Sequence, residues 1–312
     1  MKAPSANADD PPNVVVFGEA GVGKSSLINM IAGRQLSPIS GDASGCTFKS
    51  TSFDVELKGK LVRFWDTAGL NEGDAGTVVA KDAIINLYML LKSLENGISL
   101  LVYCIRGPRI RDSTVTNYKM FYHGLCQEKV PIVLVVTGLE AEESMDEWWT
   151  RNGKRFNKQK MTFSGQACVT ATKGKIRKGT HMFEQEYEES TGKVRKLVDE
   201  NCHHEPWQLK TSSLAGLMTF IKIAINIGIG VFNIPPLVLC QMLYEVLKEH
   251  GGISDIEARK LANEAETMMP ATHGLEGSKG SKESGLRRVE APQAKEKVRK
   301  GGSSAKKQPR KK

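Results

Sequence analysis

The sequence predicts an α/β protein built on a doubly wound, mostly parallel six-stranded sheet, followed by an apolar, helical C-terminal extension and a disordered basic tail. Three observations carry this prediction. Short apolar runs alternate with helical patterns through residues 13–201, a glycine-rich loop follows the first run, and residues 275–312 are dominated by Lys, Arg, Gly, Ser and Ala. Alternation of this kind is typical of a parallel sheet whose ligand-binding loops lie at the carboxyl ends of the strands.

The glycine-rich loop joins the first predicted strand, at residues 14–17, to a helix that continues through Leu27 and Ile31. It fits the phosphate-binding pattern G-x-x-x-x-G-K-S, in which backbone N–H groups and the helix N-terminus face a phosphate. We expect Lys24 to lie between the β- and γ-phosphates and Ser25 to ligate Mg²⁺. A glycine-rich turn without a ligand is the alternative. The residues assigned to the nucleotide here are Gly18, Glu19, Ala20, Gly21, Val22, Gly23, Lys24, Ser25 and Ser26.

A second polar motif, Asp66-Thr67-Ala68-Gly69, directly follows the strand predicted at residues 61–65. An acid at the tip of a strand beside the loop strand is expected to hold Mg²⁺, and the Gly69 N–H is expected to reach the γ-phosphate. The motif resembles the D-T-A-G sequence of translation-factor-class GTPases in the Ras-like superfamily, which implies a P-loop G domain that binds GTP or GDP with Mg²⁺. A helix cap in an ordinary turn is the alternative for Asp66.

Between these motifs lies a loop at residues 34–48 that is rich in Gly, Ser and Pro and resembles a switch segment. Thr47 is the candidate for the threonine that completes the Mg²⁺ shell, 22 residues after Ser25 and 19 before Asp66. A threonine favoured by strand propensity alone is the alternative. Residues 50–57 then alternate as an edge strand, and Gly59 predicts a hairpin into the next strand.

Three further strands are predicted at residues 98–105, 132–136 and 167–172. The run at 132–136 is uninterrupted and therefore expected to be buried on both faces. Helical patterns separate the strands, as at residues 83–94, where apolar positions recur at helical spacing. Residues 13–201 are thus assigned to one P-loop G domain, after a short flexible N-terminus at 1–12.

Base selection is assigned to two loops that follow predicted strands. In the first loop, Thr137 begins a T-x-x-E sequence whose acid, Glu140, can accept hydrogen bonds from the guanine N1–H and N2–H groups. In the second loop, Ala171 and Thr172 lie in an S-A-K-like motif of the kind that approaches guanine O6. The threonine-led motif resembles the immunity-associated and chloroplast-import GTPases (the GIMAP and Toc families), near the septins. Uncharacterised fungal G-domain proteins with T-G-L-E and a Trp-Trp pair, here Trp148-Trp149, are a still closer resemblance, over residues 13–199. An ATP site or a degenerate site remains the alternative.

Hydrolysis is expected to be slow, because Leu70 stands where Ras-like proteins place a glutamine that orients the attacking water. Arg106, Arg109 and Arg111 cluster just after the fourth predicted strand. The resemblance to the GIMAP branch, which carries a basic residue in a comparable stretch, implies that one of them acts across a homodimer that forms through the nucleotide face. Arg109 is the residue assigned to this role, and a solvated basic loop is the alternative. The catalytic set is therefore Lys24, Thr47, Gly69 and Arg109. A different class of function is a scaffold that holds GTP or GDP and assembles without useful turnover.

The C-terminal extension, at residues 202–272, contains a segment at 211–244 with a single charge, Lys222. Isoleucines at every second position from 221 to 229 favour either a strand or a segment that is apolar on all sides. Packing on the G domain and contact with a membrane are the two interpretations. The tail at 273–312 carries the net charge of +9 of the whole chain. Its interpretations are binding to anionic lipid, binding to nucleic acid, a nuclear address, or a tail that only aids solubility.

Six cysteines without disulfide or metal spacing indicate a reduced, intracellular chain, so we expect a cytoplasmic protein with a possible membrane-associated state.

Overall fold

The computed structural model describes residues 10–36, 51–67, 77–94, 96–107, 112–202, 205–209 and 213–269. A six-stranded sheet with the order β2-β3-β1-β4-β5-β6 forms its centre. Only β2 is antiparallel to its neighbour, and every other pair is parallel, which confirms the predicted sheet. The strands are β1 (Asn13–Phe17), β2 (Thr51–Leu57), β3 (Lys60–Asp66), β4 (Leu100–Arg106), β5 (Ile132–Thr137) and β6 (Gly165–Cys168).

Burial along the strands follows their place in the sheet. Every residue of β1 and of β5 is buried, because both strands lie between neighbours and have helices on both faces. The edge hairpin of β2 and β3 turns at Lys58 and Gly59, whose φ angles of 48° and 78° suit the tight turn predicted there.

Helices cover both faces of the sheet. Val14 and Val16 of β1 face a core shared with α1 and α5, whereas Val15 and Phe17 face a second core shared with α2, α3 and α4. The α3 helix continues directly into a π-helical segment, Lys119–Leu125, and a two-stranded hairpin, β7 (Ile176–Arg177) and β8 (Thr180–His181), precedes α5. These helices are α1 (Lys24–Ala32), α2 (Thr77–Ser93), α3 (Asp112–Tyr118), α4 (Met145–Lys158) and α5 (Glu184–Asn201).

Three C-terminal helices, α6 (Leu214–Gly230), α7 (Pro236–His250) and α8 (Asp255–Met268), form an additional layer that packs on α2 and the π-helical segment. The chain reaches this layer from α5 past the start of β4. There Ile98 and Trp207 exchange two backbone hydrogen bonds of 2.8 and 2.9 Å. We call α6, α7 and α8 the C-terminal layer.

The strand interpretation of the alternating isoleucines is wrong, because the segment forms the helix α6. Most of its apolar side chains are buried against α2, the π-helical segment, α7 and α8, whereas Lys222 and Asn226 are exposed. Ile221, Ile223, Ile225 and Ile227 are at most 6% exposed. Packing on the G domain is thus the interpretation that the structure supports for the described part of 211–244. None of the helices in the described ranges is long and apolar enough to cross a bilayer.

Three predicted strand bounds are also wrong by two or more residues: the start of the fourth strand and both ends of the sixth, which begins at Gly165. The fourth strand begins at Leu100, because the backbone of Ile98 pairs with Trp207. The sixth ends at Cys168, because the Thr170 N–H bonds to the Ser190 side chain at 2.9 Å. The division between G domain and extension at residues 201 and 202 stays a prediction, and most of the N-terminus and the whole tail at 273–312 lie outside the described residues.

Candidate nucleotide-binding site

The phosphate loop lies at the carboxyl end of β1, where the chain enters α1. Gly18, Gly21 and Gly23 have φ angles of 148°, 71° and 96°, a region that favours glycine. A Cβ at Gly18 would lie 2.1 Å from the Cys104 carbonyl oxygen, so β4 leaves no room for a side chain. The glycines of the motif are therefore required by backbone conformation and by close packing.

Lys24, the first residue of α1, is 8% exposed, and its side chain extends along the phosphate loop toward Gly18. Its ammonium group donates to the carbonyl oxygens of Gly18 at 3.0 Å and Glu19 at 2.8 Å. The ammonium group is thus held beside glycines whose positive φ angles orient their backbone N–H groups. This arrangement suits the binding of a phosphate chain.

Ser25 and Asp66, the two predicted metal ligands in the described part of the chain, are in direct contact. The Ser25 hydroxyl donates to Asp66 Oδ2 at 2.6 Å. Parallel pairing of β1 and β3 sets Asp66 opposite Val16 and so brings the carboxylate beside the phosphate loop. A hydroxyl and a carboxylate are hard oxygen ligands of the kind that Mg²⁺ prefers, so these residues fit that ion.

Thr67 and Thr137 hold neighbouring strand ends to each other and to the loop. The Thr67 hydroxyl donates to the Val16 carbonyl at 2.9 Å. The buried Thr137 hydroxyl donates to the Val22 carbonyl at 2.6 Å and lies 3.2 Å from the Ile105 carbonyl. Thr137 therefore connects the end of β5 to the phosphate loop, a contact that the sequence pattern did not reveal.

Glu140, the predicted base-binding acid, lies in the loop that follows β5. Its Oε1 atom is 3.6 Å from a guanidinium nitrogen of Arg106, at the end of β4. Its Oε2 atom is buried and has no hydrogen-bond partner within the described ranges. An unpaired buried carboxylate oxygen carries a desolvation penalty that a donor from a ligand would remove.

The second predicted base-binding loop follows β6. Ala171 is half-buried and Thr172 is exposed. The Thr172 hydroxyl accepts a hydrogen bond from the Gly174 N–H at 3.1 Å, which fixes the turn after the strand. Thr47, Gly69, Leu70 and Arg109 lie outside the described residues, so their assigned roles stay predictions.

A cavity of about 300 Å³ lies beside the phosphate loop, between the end of β4 and α3. Glu19, Gly21, Tyr103, Arg106 and Thr114 are among its lining residues. Under the loop, complete burial raises the pKa of the Cys104 thiol to about 12, so this cysteine stays neutral at physiological pH. No sequence motif predicts this neighbourhood, because it forms where separate strand ends meet.

The sheet order, the phosphate loop and the contact between Ser25 and Asp66 define a P-loop nucleotide-binding domain. Residues 13–138 match the family model described as 50S ribosome-binding GTPase.

Curated relatives match part of the chain. The chain is 26% identical over 137 residues to GTPase Der of Campylobacter lari, which is 44% of this chain and 27% of that protein. It is 25% identical over 175 residues to translation initiation factor IF-2 of Pelobacter propionicus, covering 56% of this chain and 17% of that protein. The chain therefore spans about a quarter or less of the length of these relatives.

Among solved structures, that of Toc33 from Arabidopsis thaliana in complex with GDP and Mg²⁺ is similar, with a TM-score of 0.45 and 20% identity. The similarity covers 61% of this chain and 83% of that one.

Proposed function

We propose that this protein binds GTP with Mg²⁺ and hydrolyses it slowly to GDP and phosphate. The observation that carries the proposal is the geometry of the phosphate loop. The Lys24 ammonium group donates to the Gly18 carbonyl, and the Ser25 hydroxyl donates to the Asp66 carboxylate at 2.6 Å. The match of residues 13–138 to a GTPase family model supports the same activity.

Each residue has a distinct part in this proposal. Lys24 neutralises phosphate charge, while Ser25 and Asp66 hold Mg²⁺, which offsets the negative charge of the triphosphate when bound. Glu140 binds the guanine N1–H and 2-amino groups, since its Oε2 atom is buried without a partner in the described part of the chain. Thr47 and Gly69 then contact the Mg²⁺ shell and the γ-phosphate.

Slow turnover and dimerisation form a finer part of the proposal. The aliphatic side chain of Leu70 cannot form a hydrogen bond that orients the attacking water. A second copy of the protein would therefore supply a catalytic side chain, and Arg109 is the candidate. The resemblance of the threonine-led base motif to the GIMAP and Toc branch motivates this assignment. Single-turnover hydrolysis measured against protein concentration tests it: a rate that rises with concentration supports catalysis across a dimer, and a negligible, flat rate supports the scaffold alternative.

Competition binding on the full chain tests the guanine site. The experiment measures how well GDP, ADP and xanthosine diphosphate displace a fluorescent GDP from the natural protein and from the Glu140→Gln variant. Because an amide presents an N–H donor and xanthine a C2 carbonyl, we expect Glu140→Gln to bind GDP about 10- to 100-fold more weakly and to gain affinity for the xanthine nucleotide. Glu142→Gln, which alters a nearby acid paired with Arg151, is the matched control and should leave the preference for GDP unchanged. Equal displacement by GDP and ADP in the natural protein would contradict the proposed specificity.

A further inference from the structure

The end of β4 and the loop after β5 are packed together more closely than strand pairing alone requires. Arg106 and Thr137 are opposite each other in the parallel register, and the Gly107 N–H donates to the Thr137 carbonyl at 2.8 Å. This pairing places the sequence Arg106-Gly107 directly beside Gly138, Leu139 and Glu140.

Two glycines make this close approach possible. Gly138 has a φ of 74°, and a Cβ there would lie 3.0 Å from Cγ of Arg106 and 3.2 Å from its Nε. A Cβ at Gly107 would lie 2.6 Å from the Leu139 side chain. The Arg106 side chain thus lies along the backbone of the loop that carries Glu140, which restricts where its guanidinium can go.

The two oxygens of Glu140 have different surroundings. Oε1 is 3.6 Å from the Arg106 guanidinium, whereas Oε2 is buried and has no hydrogen-bond partner in the described ranges. The Arg106 side chain is 56% exposed and that of Glu140 is 25% exposed, so the ion pair is at the rim of the site. A carboxylate oxygen has two acceptor positions, so the contact with Arg106 leaves both oxygens able to accept from a ligand.

We propose that Arg106 is a positioning residue for base recognition: its guanidinium holds the Glu140 carboxylate in the orientation that accepts the two N–H groups of guanine. The inference rests on the proposed function, since it assumes that Glu140 binds the base. It assigns to Arg106 a role different from that of the neighbouring Arg109, which is proposed to act on the phosphates of a second molecule.

The test compares GDP with inosine diphosphate, which lacks only the 2-amino group of guanine. Displacement of a fluorescent GDP from the full chain is measured for the natural protein, Arg106→Gln and Arg106→Lys, with ADP as a third competitor. We expect Arg106→Gln to reduce the ratio of GDP to inosine diphosphate affinity about fivefold, because a carboxylate that is not held in place aligns less well with two donors than with one. Arg106→Lys keeps the charge beside Oε1 and should recover part of the lost ratio.

Two controls separate positioning from a general structural effect. Arg63→Gln removes an arginine that pairs with Asp54 on the edge hairpin, and it should leave the ratio unchanged. In a Glu140→Gln background, Arg106→Gln should have no further effect on the ratio, because its partner carboxylate is gone.

Each outcome has a definite meaning. An unchanged ratio in Arg106→Gln, or an equal loss of affinity for GDP, inosine diphosphate and ADP, would overturn the positioning role while the guanine site itself stands. A natural protein that binds ADP as well as GDP would overturn the proposed function and this inference together.

Discussion

At the scale of single residues, Thr137 shows how one hydroxyl holds the nucleotide site together. Its side chain is 2% exposed and bonds to the Val22 carbonyl in the phosphate loop. A Cβ at Gly23 would lie 3.6 Å from Thr137 Cγ2, so the methyl group of Thr137 lies against the same loop. The residue thus stabilises the loop on which phosphate binding depends.

Replacing Thr137 with valine is therefore expected to lower the free energy of unfolding by about 1–3 kcal/mol, because the Val22 carbonyl loses the buried hydroxyl that donates to it at 2.6 Å. Urea denaturation followed by circular dichroism measures the change. Affinity for GDP and ADP should fall by the same factor, since the altered loop binds phosphates and not the base. Thr137→Ser, which keeps the hydroxyl, is the matched control and should lose less stability. A stable Thr137→Val protein with unchanged nucleotide affinity would show that this contact is dispensable.

At the scale of helices, the contact between α2 and α6 joins the G domain to the C-terminal layer. Tyr88 of α2 and Phe220 of α6 are both buried and meet edge to face, with ring centroids 4.8 Å apart and planes at 67°. An ion pair between Lys81 of α2 and Glu245 of α7 joins α2 to a second helix of the layer. The α2 helix follows the D-T-A-G motif in the chain, so the layer packs on the helix nearest that motif in sequence.

Phe220→Ala should lower the free energy of unfolding by about 3–5 kcal/mol, because it removes a buried aromatic ring and leaves a cavity. Chemical denaturation of the full chain provides the measurement. Leu237→Ala is the control at an exposed apolar position, since Leu237 is 75% exposed, and a change within about 0.5 kcal/mol is expected. Equal effects of the two substitutions would contradict the packing of α6 described above.

At the scale of the whole molecule, the C-terminal layer shares one continuous apolar core with α2, α3, α4 and one face of the sheet. Leu87, Tyr88 and Leu91 of α2 belong to the same cluster of buried side chains as Phe220, Leu243 and Leu261. The G domain therefore buries one of its helical faces under the C-terminal layer.

A chain shortened to end after Glu205 should consequently unfold at a Tm lower by more than about 10 °C, or aggregate, because several core side chains of α2 become exposed. A chain that ends after Met269 keeps all three helices of the layer and should retain the Tm of the full chain. Differential scanning calorimetry of the three proteins distinguishes these results. A Tm for the shorter protein equal to that of the full chain would instead support an independent G domain at residues 13–201.

The sequence alone determined the features that depend on neighbouring residues. The strand–loop–helix order around Lys24 and the hairpin turn at Gly59 follow from local backbone preferences, and the structure confirms both. The pairing of an acid at position 66 with the phosphate loop was also predictable, because both follow strands of one parallel sheet.

The tertiary structure alone decided the features that depend on residues far apart in the chain. The isoleucines of α6 form a helix because α2, α7 and α8 surround them, whereas their spacing in the sequence was equally compatible with a strand. Likewise, the contacts of Arg106 with Glu140 and of Thr137 with Val22 exist because strand order brings β4, β1 and β5 together. Local propensity determined the phosphate loop and the hairpin turn, whereas long-range packing decided the conformation of α6, the ends of β4 and β6 and which side chains meet.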